Sequence, residues 1–246
     1  MSVATTANVQ LMNDDGWAQQ IAARLALDLH TLLGAKNRSV SLALSGGSTP
    51  EPVYSALAAM DLPWDCICIL QVDERVVPMN DPRSNAAMIR RAMAPALERG
   101  ARGLWMDSVL DDFAAAKAYA RTIARWLPLD IVVLGMGDDG HTASLFPGDG
   151  LTGSTAYVVD VSSKGSREAR LSLGPSVLLH ADTTHLIARG ASKAAALNRL
   201  YANDGTLEET PARLTCRSVV AGESKGGVST LWVDVALDAA AKRLRH

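Results

Sequence analysis

The residues of this chain best suited to chemistry lie in one stretch, Gly135-Met136-Gly137-Asp138-Asp139-Gly140-His141-Thr142-Ala143-Ser144. It follows a short apolar run, Ile131-Val132-Val133-Leu134, that reads as a buried strand. An imidazole titrating near neutrality can take a proton from water and return it later, which makes His141 the candidate base. Asp139, two residues earlier, can orient the ring and stabilise its protonated form. The glycines let the backbone turn sharply or approach a ligand closely. In an open α/β sheet, ligands bind at the loops leaving the carboxyl ends of strands. No second histidine nearby and no cysteine cluster completes a metal-ligand pattern, so no metal is expected. No Gly-x-Ser-x-Gly elbow marks a nucleophilic serine.

Two further clusters suit ligand binding. Ser45-Gly46-Gly47-Ser48-Thr49-Pro50 lies between a β-rich run and a helix expected from Pro50, with Thr49 as its N-cap. Glycines ahead of a helix start leave backbone N–H groups free, and the helix dipole favours an anion there, most often phosphate. The other reading of this stretch is a well-capped turn that binds nothing. It is neither a Walker loop nor a spaced-glycine dinucleotide fingerprint, which counts against a nucleotide cofactor; none is expected. Asp73-Glu74-Arg75 closes the apolar run 66–72 as either solvated loop or pocket residues. The planar fork of Arg75 suits an anion or a carbonyl, and Asp73 suits sugar hydroxyls. Arg170 opens a strand and Lys193 stands near a helix start; each by itself reads as a surface charge.

The elements that must position these groups alternate. A helix is expected over 17–33, where Trp17, Ile21, Leu25 and Leu29 recur at helical spacing. Strands are expected at 39–44, 66–72 and 129–134, weaker ones at 156–161, 170–173 and 184–188, and a last one at 230–234. Helices are expected between them, one of them begun by Asp111-Asp112. Near-continuous apolar strands alternating with helices predict an α/β fold, a mostly parallel sheet covered on both faces, in a single domain over 1–246. The formal net charge of −2 offers no footprint for nucleic acid, and no apolar run is long enough to span a bilayer. No secretory pattern opens the chain, so a cytoplasmic protein is expected. Cys66 and Cys68 alternate on one strand face and Cys216 stands alone, all read as buried, inert thiols. His30 falls on a helix, and His180 and His185 are expected at loops or strand ends.

Leu44–Pro50, Asp73–Pro78 with Ser84-Asn85, and Gly135–Gly148 resemble, in order and spacing, the three signatures of the 6-phosphogluconolactonase family. Gly190-Ala191-Ser192-Lys193-Ala194 resembles that family's later Gly-x-x-Lys segment. The resemblance spans essentially the whole chain. It implies a three-layer, Rossmann-like sandwich and hydrolysis of 6-phospho-D-glucono-1,5-lactone to 6-phosphogluconate without cofactor. The partner would be that sugar-phosphate lactone, and the protein a monomer or homodimer. By the same resemblance, the phosphate rests on Ser45, Gly46, Gly47, Ser48 and Thr49 with charge from Arg170 and Lys193. Asp73 and Arg75 sit near the substrate, and His141, oriented by Asp139, activates the water. Where the family often has Arg-Ile-Thr-Leu-Thr, this chain has Ser166–Leu173; Arg170 matches the position, but Arg167 is close enough to compete.

Two other readings stand beside this one. An amino-sugar phosphate deaminase of the same superfamily carries a glutamate for its proton relay where this chain has Phe146. Phenylalanine cannot relay a proton, so the lactonase is favoured. A non-catalytic sugar-phosphate sensor could keep the anion loop and lose the base, whereas His141 and Asp139 are both present here.

Overall fold

The computed structural model describes residues 8–107, 112–202, 204–215 and 228–243; Asp111 and Cys216 lie outside them. The first half of the chain runs β1 (Asn8–Met12), α1 (Trp17–Ala35), β2 (Val40–Leu44), α2 (Glu51–Ala58), β3 (Ile67–Gln71) and β4 (Asp73–Arg75). It continues with α3 (Asn85–Ala92), α4 (Ala94–Glu98), β5 (Arg102–Leu104), α5 (Asp112–Ile123) and β6 (Ile131–Gly135). The rest comprises β7 (Val158–Val161), β8 (Arg170–Leu173), α6 (Pro175–Leu178), β9 (Thr183–Ala188), α7 (Ala194–Tyr201), β10 (Val228–Asp234) and α8 (Val235–Arg243).

Seven strands form one sheet in the order β1-β10-β9-β6-β2-β3-β5, every neighbouring pair parallel. Both faces of its central strands are covered, which is why β2, β3 and β6 read as near-continuous apolar runs. Strand alternation divides each run between two cores. Ile131 and Val133 of β6 pack with Leu25 and Leu29 of α1 and with Val53 and Leu57 of α2. Val132 and Leu134 pack on the other side with Ala116 of α5, Leu197 of α7 and Leu237 of α8.

From β2 the chain proceeds to β3 and β5 on one side of the sheet, whereas from β6 it proceeds to β9 and β10 on the other. The direction of winding therefore reverses between adjacent strands β2 and β6, and a crevice opens beyond their carboxyl ends. The loops carrying Ser45–Thr49 and Gly135–His141 leave these two strands. The Ser45 N–H donates to the Val133 carbonyl at 3.1 Å and ties the loops together at the crevice floor.

The apolar run 66–72 and the charges after it do not share one sheet. Val72 donates its N–H to Leu44 in the large sheet (3.0 Å) and accepts at its carbonyl from Leu173 (2.8 Å). From there Asp73–Arg75 enters a separate antiparallel sheet, β4-β8-β7. This sheet packs over the α5 face, with Leu171, Leu173, Val159 and Val161 joining the core there.

Two other expectations change. Cys66 lies in a 3-10 turn, Trp64–Cys66, ahead of the strand and is exposed, while Cys68 is buried. Burial pushes the Cys68 thiol up to about 11, although Arg102 and Arg125 pull the other way. His185 is at neither a loop nor a strand end: it is wholly buried within β9. Trp232 Nε1 donates to its Nδ1 at 3.0 Å, which leaves the ring hydrogen on Nε2 facing Asp28 at 2.9 Å. At the amino end of the central strands, buried Asp130 accepts from the Ser41 N–H and hydroxyl at 2.8 and 2.9 Å. Arg38 and Lys36 pair with the same carboxylate.

Candidate active site

A cavity of about 360 Å³ occupies the crevice beyond β2 and β6. Ser45, Gly46, Gly47, Ser48 and Thr49 line one side, Asp73, Arg75 and Arg170 another, and His141 and Lys193 also face it. Asp139 stands behind the imidazole rather than in the wall. The residues singled out in sequence thus converge, although they come from loops after β2, β6 and β9 and from strands β4 and β8. Among the described residues, no three His, Cys, Asp or Glu side chains gather closely enough to hold a metal ion.

The loop after β6 is folded around His141. The Gly137 N–H donates to the His141 carbonyl at 2.9 Å, and Thr142 Oγ1 donates to the Gly135 carbonyl at 2.9 Å. Asp139 Oδ1 accepts from the His141 backbone N–H at 3.0 Å and lies 2.6 Å from ring Nδ1. With Nδ1 donating to the carboxylate, Nε2 is the proton-accepting nitrogen. Burial alone would raise the Asp139 pKa, but the hydrogen bonds from the His141 ring and amide outweigh it and hold it at about 2. The imidazole rests on Phe146, with ring centroids 4.4 Å apart. A methyl at Gly137 would fall 2.1 Å from His141 Nδ1, so this close approach requires glycine. Ala143, in the cavity wall, holds a left-handed φ of 52°, a conformation that costs a non-glycine residue energy and clusters at functional sites.

The opposite side of the cavity is built for charge. α2 begins at Glu51 with Pro50 at the cap position and no side-chain cap. Thr49 is therefore not the N-cap expected from sequence: the chain makes one more turn over 48–50 before the helix starts. The helix start, with its partial positive charge, is left uncapped by side chains beside the cavity. Ser45 Oγ is buried in this wall without a hydrogen-bond partner among the described residues.

Arg75 and Arg170 are register partners across β4 and β8. Arg75 donates to the Arg83 carbonyl, and Arg170 lies 4.0 Å from Asp73. Burial raises the Asp73 carboxyl above its ordinary value, against the hydrogen bond from Ser144 at 2.7 Å and the charge of Arg170. Burial also lowers Arg170, despite the attraction of Asp73. Lys193 donates to the Met136 carbonyl and lies 3.4 Å from Asp138. Arg167 points elsewhere: it pairs with Asp149 at 2.6 Å and lines a separate hollow. Of the two competing arginines, Arg170 faces the cavity.

Two residues at the site were assigned no role of their own from the sequence. Asn85, given no role in sequence beyond its place in a family signature, lines the cavity and donates from Nδ2 to the Asp73 carbonyl at 2.9 Å. A methyl at Gly46 would fall 1.9 Å from Asn85 Oδ1, so the glycine turn and this amide are pressed together. Glu74 is buried behind the wall and binds the start of α3. Alternation along β4 was the available signal, since Asp73 and Arg75 share one face and Glu74 must take the other.

The sequence pattern of the glucosamine-6-phosphate isomerases/6-phosphogluconolactonase family matches residues 12–223. A 6-phosphogluconolactonase of Caulobacter vibrioides is 36% identical over 187 residues, covering 72% of this chain and 80% of that protein. One from Rhizobium meliloti is 36% identical over 208 residues, covering 81% and 87%. The crystal structure of a 6-phosphogluconolactonase from Shewanella baltica superposes with a TM-score of 0.81 at 25% identity, over 94% of this chain and 99% of that one. The enzyme from Thermotoga maritima gives a TM-score of 0.77 at 26% identity, over 93% and 99%. With its α/β fold, its three motifs and these relatives in agreement, the chain belongs to the glucosamine-6-phosphate isomerase/6-phosphogluconolactonase family.

Proposed function

We propose that this protein hydrolyses 6-phospho-D-glucono-1,5-lactone to 6-phosphogluconate, with water activated by His141. The relatives named above support the reaction. One observation carries the mechanism: a single cavity holds an imidazole whose Nδ1 is engaged by a carboxylate, and also three cations beside an uncapped helix start. The substrate phosphate, a dianion, sits against the Ser45–Thr49 turn, where backbone N–H groups and the helix dipole favour it. Arg170 and Lys193 supply the balancing charge.

The lactone ring then lies toward His141. Nε2 takes a proton from water as its oxygen attacks C1, and Asp139 stabilises the imidazolium so formed. The tetrahedral oxyanion takes hydrogen bonds from Arg75 or from loop N–H groups. As the C1–O bond breaks, the imidazolium returns its proton to the ring oxygen, and the carboxylic acid so formed loses its proton to solvent. A lactone with well-placed water needs less activation than an amide, so one base and good orientation suffice.

His141→Ala tests the mechanism, with the spontaneous opening of the lactone subtracted. The expected loss in kcat is about a hundredfold or more; turnover near that of the unaltered protein removes His141 as the base. Assay of glucosamine 6-phosphate alongside fresh lactone separates the two activities of the family. Phe146 cannot relay a proton, so no deamination is expected.

A further inference from the structure

We infer that Glu74 is a positioning residue that sets the anion affinity of this cavity without touching the ligand. The inference rests on the same cavity as the proposed function and concerns how its phosphate side is held in shape. Glu74 is 1% exposed and has no cation among its hydrogen-bond partners in the described residues. A buried carboxylate without a countercharge is costly unless fixed dipoles and hydrogen bonds replace its water. Here they do. Oε1 accepts from the backbone N–H groups of Arg75 and Asn85, each at 2.8 Å. Oε2 accepts from Gln71 Nε2 at 2.7 Å, the Ser84 hydroxyl at 2.8 Å and the Ala86 N–H at 2.9 Å. The negative charge also lies at the amino end of α3, where the helix dipole favours it.

The donors belong to segments that must be held together for the site to exist. Gln71 ends β3 in the large sheet, Arg75 belongs to β4 in the small one, and Asn85 begins α3. Loss of that carboxylate frees the segments at their junction. Two of the tied residues, Arg75 and Asn85, line the cavity, and Asn85 presses on Gly46 of the glycine turn. Glu74 therefore transmits one fixed geometry to the cation wall and to the turn, while its side chain points away from both.

Glu74→Gln keeps the shape and removes the charge. Whichever way the new amide is turned, its NH2 faces backbone N–H donors: Arg75 and Asn85 at one pole, Ala86 at the other. Donors facing donors cannot be satisfied in place, so the junction must shift. The test titrates inorganic phosphate into the unaltered protein, Glu74→Gln and Glu74→Asp by calorimetry. Their KM and kcat for fresh lactone are measured in parallel, and folding is checked by circular dichroism.

Glu74→Gln is expected to bind phosphate at least fivefold more weakly and to raise KM about tenfold, with a smaller fall in kcat from the displacement of Arg75. Glu74→Asp, which keeps the charge on a shorter stem, is expected to fall between; it carries the test alone if the Gln variant does not fold. Folded variants with unchanged phosphate affinity and KM, and only lower melting temperatures, reduce Glu74 to a structural residue and overturn the inference. So does an unaltered protein that takes up no phosphate. Weakened phosphate binding in a protein that fails to open the lactone upholds the inference and rejects the proposed reaction instead.

Discussion

The pairing of Asp139 with His141 yields the sharpest prediction, because its size can be worked from the geometry. Asp139 titrates at about 2 rather than 3.8, held there, against burial, by the His141 ring and amide. At about 1.36 kcal/mol per pH unit this preference for the ionised form is about 2.4 kcal/mol. Half of the Asp139 side chain is exposed, so solvent screening reduces the useful part to about 1.2 kcal/mol. In the proposed mechanism that interaction grows in the transition state, when the imidazole becomes an imidazolium, and its loss corresponds to roughly tenfold in rate.

Asp139→Asn removes the charge but retains an oxygen that can accept from both His141 donors. The expected result is a fall in kcat of about 10- to 100-fold, the upper end applying where the new amide turns its NH2 to Nδ1. In that orientation Nδ1 must accept, the hydrogen moves to Nε2, and the base is lost. KM should stay within about threefold, since the proposed phosphate anchor lies on the other wall. The assay is proton release from fresh lactone in weak buffer, corrected for spontaneous opening. A kcat within twofold of the unaltered protein, or a change confined to KM, refutes the reasoning. Because Asp139 is ionised well below neutrality, the difference between the two proteins should not vary through pH 5 to 8 on its account.

Other perturbations follow from the same structure. Gly46→Ala places a methyl 1.9 Å from Asn85 Oδ1 and forces out an amide that is hydrogen-bonded to Asp73; KM should rise about tenfold or more in steady-state assays, with the protein still folded. Asp130→Ala leaves the buried Ser41 N–H without its acceptor and removes the partner of Arg38; urea unfolding should show a loss of about 2–4 kcal/mol. Burial would raise the Asp130 carboxyl, but Arg38, Lys36 and Ser41 hold it below 3.8. Its contribution to stability is therefore complete above about pH 4, and the gap between protein and variant should close as pH falls through the lowered value. With its thiol at about 11, Cys68 is ionised at roughly one part in a thousand at pH 8. Peptide mapping after iodoacetamide treatment of the native protein should find Cys66 modified and Cys68 spared; equal labelling contradicts the described burial.

Periodicity and residue type were enough to read the parallel α/β architecture, because strands covered on both faces must be apolar throughout. They also supplied the imidazole beside its carboxylate, since His141 and Asp139 meet within one short loop. Local signals failed where the partner is distant. No spacing separates Arg167 from Arg170; the choice is made by Asp149, which takes Arg167, and by the pairing of β8 with β4, which turns Arg170 toward Asp73. Thr49 has the side chain of an N-cap, but the turn over 48–50 moves the helix start past it. His185, expected at a loop or strand end, is instead a satisfied core residue because Asp28 and Trp232 reach it from α1 and β10. Above all, Val72 passes the chain from one sheet to the other, a step set by hydrogen bonds to Leu44 and Leu173 far away in sequence. The chain alone determined which chemical groups were available; the reversal of winding between β2 and β6 decided that they face one cavity.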